Sequence, residues 1–474
     1  MDNDHKLKQV QDLLESHNQQ HLLAFWEELD QAAKQSLLQQ IRALDLDQID
    51  KWIEEVVTND SATGISGDLE PAGYYPAEPS ADIERKYSEA RKLGEDRLRA
   101  GKVAGFVVAG GQGTRLGFDG PKGDFPISPI TNKTLFRIFA EQIAAASQKY
   151  GVTIAWYVMT SPLNHEATIA IFEKNGFFGL DRDNVIIFQQ GTLPNFDFEG
   201  RILLADKDSI ACSPDGHGGS LKALKTSGAL DDMRKRGVEI ISYWQVDNPL
   251  VNTFDPLFIG LHALDGSQMS SKALKKSEPF EKVGNFCLLD GRVSVIEYSD
   301  LPDELATKRR EDGSLAFELG SIAIHIIDVD FVEQLNEHGF GLPLHRAVKK
   351  IPHIDAEGNR VEPEEPNGVK IETFIFDALP LASKSIILET VRSEEFAPVK
   401  NAEGTDSPEV THRMMIERDA DWLESAGVAV PRKGDGTPDC TLEMAPGFAL
   451  HREDVPARAD QVPAIEPGGE LYLG

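Results

Sequence analysis

Between residues 103 and 248 the chain alternates apolar runs with segments of helical period, and no other feature limits its possible folds as much. The runs are VAGFVVAG (103–110), VTIAWYVMTS (152–161), NVIIFQQG (184–191) and VEIISYWQVDN (238–248). Helix-patterned stretches cover residues 135–150 and 165–175 and resume after Ser220, and another over 83–100 leads into the first run. Strand candidates spaced this regularly by helices predict an α/β protein with a mainly parallel sheet covered on both faces.

The flanks read differently. Over residues 1 to about 60, Leu22, Leu23, Phe25, Trp26, Leu29, Leu37, Leu38, Ile41 and Leu44 recur near helical spacing, which predicts a small helical N-terminal region. Gly, Pro and Ser then break the periodicity in NDSATGISGDLEPAGYYPAEPSA (59–81), a connector. Beyond about residue 400 the pattern breaks into short strand-like pieces, including GVAVPRKGDGTPDCTLEMAPGFAL, which predict a small β-rich C-terminal domain. The expected division is a helical region with connector over 1–98, a catalytic domain over 99–400 and the C-terminal domain over 401–474. A chain of 474 residues that is 41% hydrophobic is ample for a large core.

Charge and targeting signals narrow the partners. A formal charge of −30 opposes sequence-independent binding to nucleic acid or to an anionic membrane, so a phosphorylated ligand has to enter a local basic pocket. The N-terminus MDNDHKLKQVQDLLESH lacks the apolar core of a signal peptide, and no apolar run approaches the ~18 residues of a membrane span. Cys212, Cys287 and Cys440 are far apart and lack CxxC spacing, as in a reduced protein of the cytoplasm. The sequence sets no oligomeric state.

The first apolar run ends in VVAGGQGTRLG, continued by FDGPKGDFPI. Five glycines lie within residues 110–120, and Arg115 and Lys122 bring two cations to the same loop. Glycines allow tight turns and close approach of backbone to a ligand, and the loop follows a strand, where open α/β sheets bind ligands. The spacing is not that of a Walker A loop, because Lys122 lies between Pro121 and Gly123. Nor is it GxGxxG, because from Gly111 the third position falls on Leu116. The loop is therefore a candidate triphosphate cradle of another kind; the plainer alternative is a glycine-rich turn with surface cations.

The segment GGQGTRLGFDGPKG resembles the nucleotide-binding signature of the UDP-sugar pyrophosphorylases, above all the UDP-N-acetylglucosamine branch of these UTP-dependent nucleotidyltransferases. The resemblance continues through FQQGTLPNFDFEGRILL, SPDGHGGSLKAL, YWQVDNPLV, VGNFCLLDGRVSVIEYSDLPDE, LPLHRAVKKIP, PNGVKIETFIFDALPLA and EEFAPVKNAEGTDSP, and so covers nearly the whole chain. It implies a Rossmann-like catalytic core and the reaction of UTP with a sugar 1-phosphate to give a UDP-sugar and pyrophosphate, assisted by Mg²⁺ or Mn²⁺.

Site residues follow from matching positions. Arg115, Lys122 and Lys400 are the expected phosphate-binding cations, although an isolated lysine such as Lys400 would otherwise read as a solvated surface residue. Ala109, Gly110, Gly111, Gly113, Thr114, Gln190 and Gly216 are the expected nucleotide pocket. The amide of Gln190 offers a donor and an acceptor to a uracil edge, or else caps a strand end. Asp247 ends an apolar strand, where its carboxylate suits a Mg²⁺ that also bridges substrate phosphates, on the sugar side of the site; a turn or helix-cap aspartate is the alternative. Glu297, Ser321, Phe374 and Phe376 are expected around the sugar, the two phenylalanines on one strand. An alternating aromatic pair is otherwise core, and an exposed strand glutamate carries no function of its own.

Two departures bear on the sugar. His217 stands in DGHGG where the acetylglucosamine enzymes usually have Asn, as in UDP-glucose and broad-specificity UDP-sugar branches, so UDP-glucose, UDP-galactose or several sugars are alternative products. GSIAIH (320–325) replaces GNIANH, which puts Ser321 and Ile324 in place of two amides and leaves His325, a lone histidine of structural type. A sugar phosphate is already a nucleophile at neutral pH and needs no general base, and the chain shows no Ser-His-Asp set or paired catalytic carboxylates. A nucleotide-sugar-binding protein without turnover is the alternative of another class.

Overall fold

A computed structural model of the chain describes residues 2–59, 67–337 and 339–474. The part of the expected connector over 60–66 lies outside the described residues. The backbone contacts divide into two compact units, one formed by Met1–Ser66, Gly191–Ser220 and Leu342–Ile375, the other by Gly67–Gln190, Leu221–Gly341 and Phe376–Gly474.

The larger unit is built on a ten-stranded sheet. In chain order its strands are β1 (Leu69–Pro71), β2 (Val103–Val108), β3 (Trp156–Thr160), β4 (Val185–Gln189), β5 (Ile240–Gln245), β6 (Met269–Lys275), β7 (Asn285–Leu289), β8 (Arg292–Ile296), β9 (Leu319–Asp328) and β10 (Ser385–Glu389). The order is β1-β7-β9-β5-β2-β3-β4, with β6 joining β9 to β10 and β8 pairing β7. Strands β5, β2, β3 and β4 are mutually parallel, and β9, β7 and β1 extend the sheet antiparallel beyond β5. All residues of β2 and β3 are buried, as their unbroken apolar sequence requires.

The chain places β3 and β4 on one side of β2 and then returns to add β5 on the other. That reversal creates a crevice at the carboxyl ends of β2 and β5, the place where open α/β sheets receive ligands. The covering helices are locally specified. Helix Leu135–Tyr150 starts at Thr134, which accepts from the Arg137 amide, and stops at Gly151 in the left-handed conformation. Its Phe136 meets Trp156 of β3 and Phe172 of helix His165–Lys174 edge-on. Helices Glu84–Arg99 and Pro256–Asp265 touch through glycines: a Cβ at Gly94 would lie 1.8 Å from the Pro256 carbonyl oxygen, and one at Gly260 1.7 Å from that of Ala90.

After residue 400 the structure differs from a purely strand-like reading, because Pro408–Ser425 is an 18-residue helix. Its signals are local: Ser407 caps the Val410 amide, and Pro408 occupies the first turn. The parallel pair Cys440–Met444 and Gly469–Leu473 follows. Leu423, Leu442, Phe448, Val455 and Leu473 give this segment a small core of its own.

In the smaller unit, helices Asp2–Ser16, Gln31–Ala43 and Leu46–Trp52 bury Leu14, Leu37, Ile41 and Ile49 against Phe196, Ile202, Ile210 and Val369. Gln19 fastens the two segments, its amide donating to the Gly200 carbonyl (2.9 Å) and accepting from the Ile202 amide (2.9 Å).

Candidate functional site

The glycine loop closes on itself. Gly113 N donates to the Gly120 carbonyl (2.9 Å), Lys122 N donates to the Gly111 carbonyl (3.1 Å), and Gly117 (φ 67°) and Gly120 (φ 147°) take conformations that L side chains resist. This return lays the Lys122 side chain over Gly111, whose Cβ would lie 3.9 Å from Lys122 Cε. Phe118 fills the inside of the turn against Gly113. Gly113 is buried, while Thr114 and Arg115 are exposed at the tip.

At the start of the loop, the Ala109 amide donates to the Met159 carbonyl at 2.7 Å. Gly110 lies against the buried Gln190: a Cβ there would sit 2.6 Å from Gln190 Oε1. The expected base-reading amide and the expected backbone platform are therefore in contact.

On the other side of the crevice, the half-buried Asp247 leaves β5, and Lys122 Nζ stands 3.9 Å from its Oδ2 and 3.4 Å from the carbonyl oxygen of Val399. Burial, with the cations of Arg115 and Lys400, lowers the pKa of the Lys122 ammonium against the opposing pull of Asp247. The charges of Arg115 and Lys400 are thus felt at Lys122. The Arg115 carbonyl also accepts from Ala402 N (3.1 Å), and Lys400 Nζ lies 3.7 Å from Asp406.

The expected sugar residues fall into separate groups. Glu297 and Ser321 meet around Gly284, where a Cβ would lie 3.7 Å from Glu297 Oε1 and 3.8 Å from Ser321 Cβ. Ile324 packs in the main core, and His325, 1% exposed, pairs with the Ser271 hydroxyl at 2.8 Å. In the smaller unit, Gly216 (φ 84°), expected in the nucleotide pocket, runs against Thr373, and a Cβ there would meet the Thr373 carbonyl oxygen at 2.3 Å. His217 Nδ1 accepts from the Ile375 amide at 3.1 Å, and its ring stacks on Phe374 at 5.4 Å. Phe374 and Phe376 do not share a strand as expected. That strand ends at Glu372, and a short helical turn runs from Ile375 to Leu381, so Phe376 begins the next segment of the larger unit.

The model of the UTP–glucose-1-phosphate uridylyltransferase family matches residues 75–438, more than half of the chain. The chain belongs to that family. Among uridylyltransferase relatives, a human UDP-N-acetylhexosamine pyrophosphorylase-like protein 1 is 37% identical over 432 residues, covering 87% of this chain and 85% of that protein. The UDP-N-acetylglucosamine pyrophosphorylase of Saccharomyces cerevisiae is 35% identical, covering 87% of this chain and 90% of the yeast protein. The crystal structure of the Trypanosoma brucei uridine diphosphate N-acetylglucosamine pyrophosphorylase superposes with a TM-score of 0.82 at 26% identity, over 99% of this chain and 98% of that one.

Two asparagines outside the expected set hold these segments in place. Asn164, fully buried, donates to the carbonyls of Ala109 (2.9 Å) and Gly111 (3.2 Å) while its Oδ1 accepts from Ser161 N. Asn248, beside Asp247, donates to the Glu395 carbonyl and accepts from Ala397 N. In sequence each reads as a turn residue, and nothing local marks the distant backbone it holds. A cavity of about 250 Å³ lies behind these segments in the larger unit, lined by Asn252, Asp255, Lys272, Glu395, Arg418 and His451 among others, and not by Arg115, Lys122, Asp247 or Lys400.

Proposed function

We propose that the chain transfers a uridylyl group from UTP to N-acetylglucosamine 1-phosphate, releasing pyrophosphate and UDP-N-acetylglucosamine. The carrying observation is the approach of Lys122 Nζ to Asp247 (3.9 Å) and to the Val399 carbonyl (3.4 Å), which joins the glycine loop, the end of β5 and the segment that bears Lys400 at the sheet's switch point. The relatives that span most of the chain, named for UDP-N-acetylglucosamine or UDP-N-acetylhexosamine, support the choice of sugar.

The chemistry asks the protein to bring two polyanions together in line and to stabilise charge on the leaving pyrophosphate. The glycine loop cradles the triphosphate, with Arg115 at its tip and Lys122 folded back over it. Lys400 neutralises the sugar phosphate, whose oxygen attacks the α-phosphorus as the bond to the pyrophosphate breaks. Gln190 reads the uracil edge, and polar readout of a base by a buried amide discriminates strongly.

Asp247 suits a divalent ion. It offers one half-buried carboxylate, and no group of three or more His, Cys, Asp or Glu side chains among the described residues is placed to hold an ion by protein alone. Mg²⁺ accepts such a site, since it takes one or two carboxylates and fills its shell with phosphate oxygens and water. When bound, it neutralises charge on the reacting phosphates.

Pyrophosphate release from UTP, assayed with a panel of sugar 1-phosphates, tests the proposal. Release is expected with N-acetylglucosamine 1-phosphate. No release with any sugar would leave a binding protein, and use of glucose 1-phosphate alone would overturn the choice of sugar.

A further inference from the structure

The segment that delivers Lys400 has no regular secondary structure of its own between Phe396 and Val399, yet it is bonded at alternate residues to the chain that follows β5. Asn248 Nδ2 donates to the Glu395 carbonyl at 2.6 Å, Asn248 Oδ1 accepts from Ala397 N at 3.1 Å, and the Asp247 carbonyl accepts from Val399 N at 2.8 Å. The next residue is Lys400.

The far end of this ladder is fixed by buried charge. Glu395, 6% exposed, receives Lys272 Nζ at 2.6 Å on both carboxylate oxygens, the Asn252 amide at 3.1 Å and the Thr390 hydroxyl. Lys272 also lies 2.7 Å from Asp255. Lys272 stands at a bulge of β6 against β9, between Ser271 and Ala273, and a bulge is a device that re-aims a side chain. A buried ion cluster gains little stability over packed apolar groups of the same volume, so its retention calls for another reason, and one such reason is fixed geometry.

We propose that Asn248 and Glu395 are positioning residues for uridylyl transfer, clamping residues 395–399 along 247–252 so that Lys400 emerges beside Asp247 and Lys122. Neither side chain has to touch substrate. Asn248 is 4% exposed, and both ends of its amide are bonded to backbone. The inference rests on the proposed role of Lys400 in the uridylyltransferase site.

A double-mutant cycle tests it. Asn248→Ala is expected to lower kcat/KM for the sugar phosphate about tenfold while KM for UTP stays within roughly twofold, and in a Lys400→Ala background the same change is expected to cost less than about twofold, because its target is gone. A purely structural role would lower the melting temperature and the active fraction, and would multiply the loss equally in both backgrounds; equal factors overturn the proposal. If Asn248→Ala does not fold by circular dichroism, Glu395→Gln, which keeps the shape and removes the charge, enters the same cycle with the same expectation. Lack of turnover in the unmodified protein overturns the assigned activity before any variant is made. A normal rate for Lys400→Ala overturns the role of Lys400 and the clamp with it.

Discussion

Lys122 Nζ and Asp247 Oδ2 stand 3.9 Å apart at the ends of two adjacent parallel strands, one brought there by the return of the glycine loop and the other by the exit from β5. The two side chains are 16% and 19% exposed, and the positive charges of Arg115 and Lys400 are felt at Lys122. The carboxylate therefore offsets the crowding of positive charge at Lys122. Asp247→Ala is expected to slow turnover by about 10²–10³ while the protein stays folded, as loss of a group that stabilises transition-state charge does. Pyrophosphate release at saturating divalent ion, with a melting curve on the same sample, decides it; full activity of a folded variant removes Asp247 from the metal and phosphate site.

The lowered pKa of Lys122 sets a pH dependence with two signs. Its charge in the free protein is lost as pH rises through the folded-state value, below the ordinary 10.5, while the unfolded chain keeps its proton to about 10.5. Between those values the unfolded state binds more protons, so this group makes folding more favourable as pH rises. UTP affinity moves the other way, because the neutral amine no longer attracts phosphate. KM for UTP is expected to climb on the alkaline side, and Lys122→Arg, always charged, is expected to move that rise to higher pH. A rise at the same pH in both proteins would assign it to another group.

The parallel part of the sheet was legible because strands buried on both faces leave unbroken apolar runs, as in 103–108 and 156–160. That Arg115 and Lys122 share one closed loop was legible too, since their spacing among glycines is local. Helix Pro408–Ser425 was marked at its start by Ser407 and Pro408, but its apolar stripe was not legible, because its buried face includes Asp419, which accepts from Met444 N at 2.8 Å and from the neighbouring Arg418. Phe374 and Phe376 misled for the reverse reason: alternation suggested a strand, but the chain turns at Ile375, whose amide is bonded to His217. The association of residues 191–220 and 342–375 with the N-terminal helices rests on contacts far apart in sequence, such as Gln19 with Gly200, and no local pattern encodes them.

Glycine substitutions separate packing from recognition. Gly260→Ala drives a methyl group into the Ala90 backbone, which cannot step aside, and is expected to cost about 1–3 kcal/mol of stability with normal KM values once folded. Gly110→Ala meets mainly the end of the Gln190 side chain, which can swing away. It is expected to melt normally, raise KM for UTP and reduce the preference for UTP over CTP. An unchanged UTP/CTP ratio in Gly110→Ala would separate Gln190 from base reading.

The last prediction concerns the sugar. His217 is the departure from the acetylglucosamine pattern, and its Nδ1 accepts from the Ile375 amide at 3.1 Å, which leaves the ring proton on Nε2. The ring is also held by stacking on Phe374, itself stacked against His345 at 4.4 Å. Asparagine would trade a single ring donor for an amide that both donates and accepts, the pairing an acetamido group can use. His217→Asn is therefore expected to raise the ratio of kcat/KM for N-acetylglucosamine 1-phosphate over glucose 1-phosphate by roughly three- to tenfold, the worth of one net polar contact. Lost stacking is expected to lower stability by about 0.5–1 kcal/mol, which a melting curve separates from the kinetic effect. Steady-state rates with both sugars give the ratio directly, and a value unchanged from the parent enzyme would remove His217 as a determinant of sugar choice.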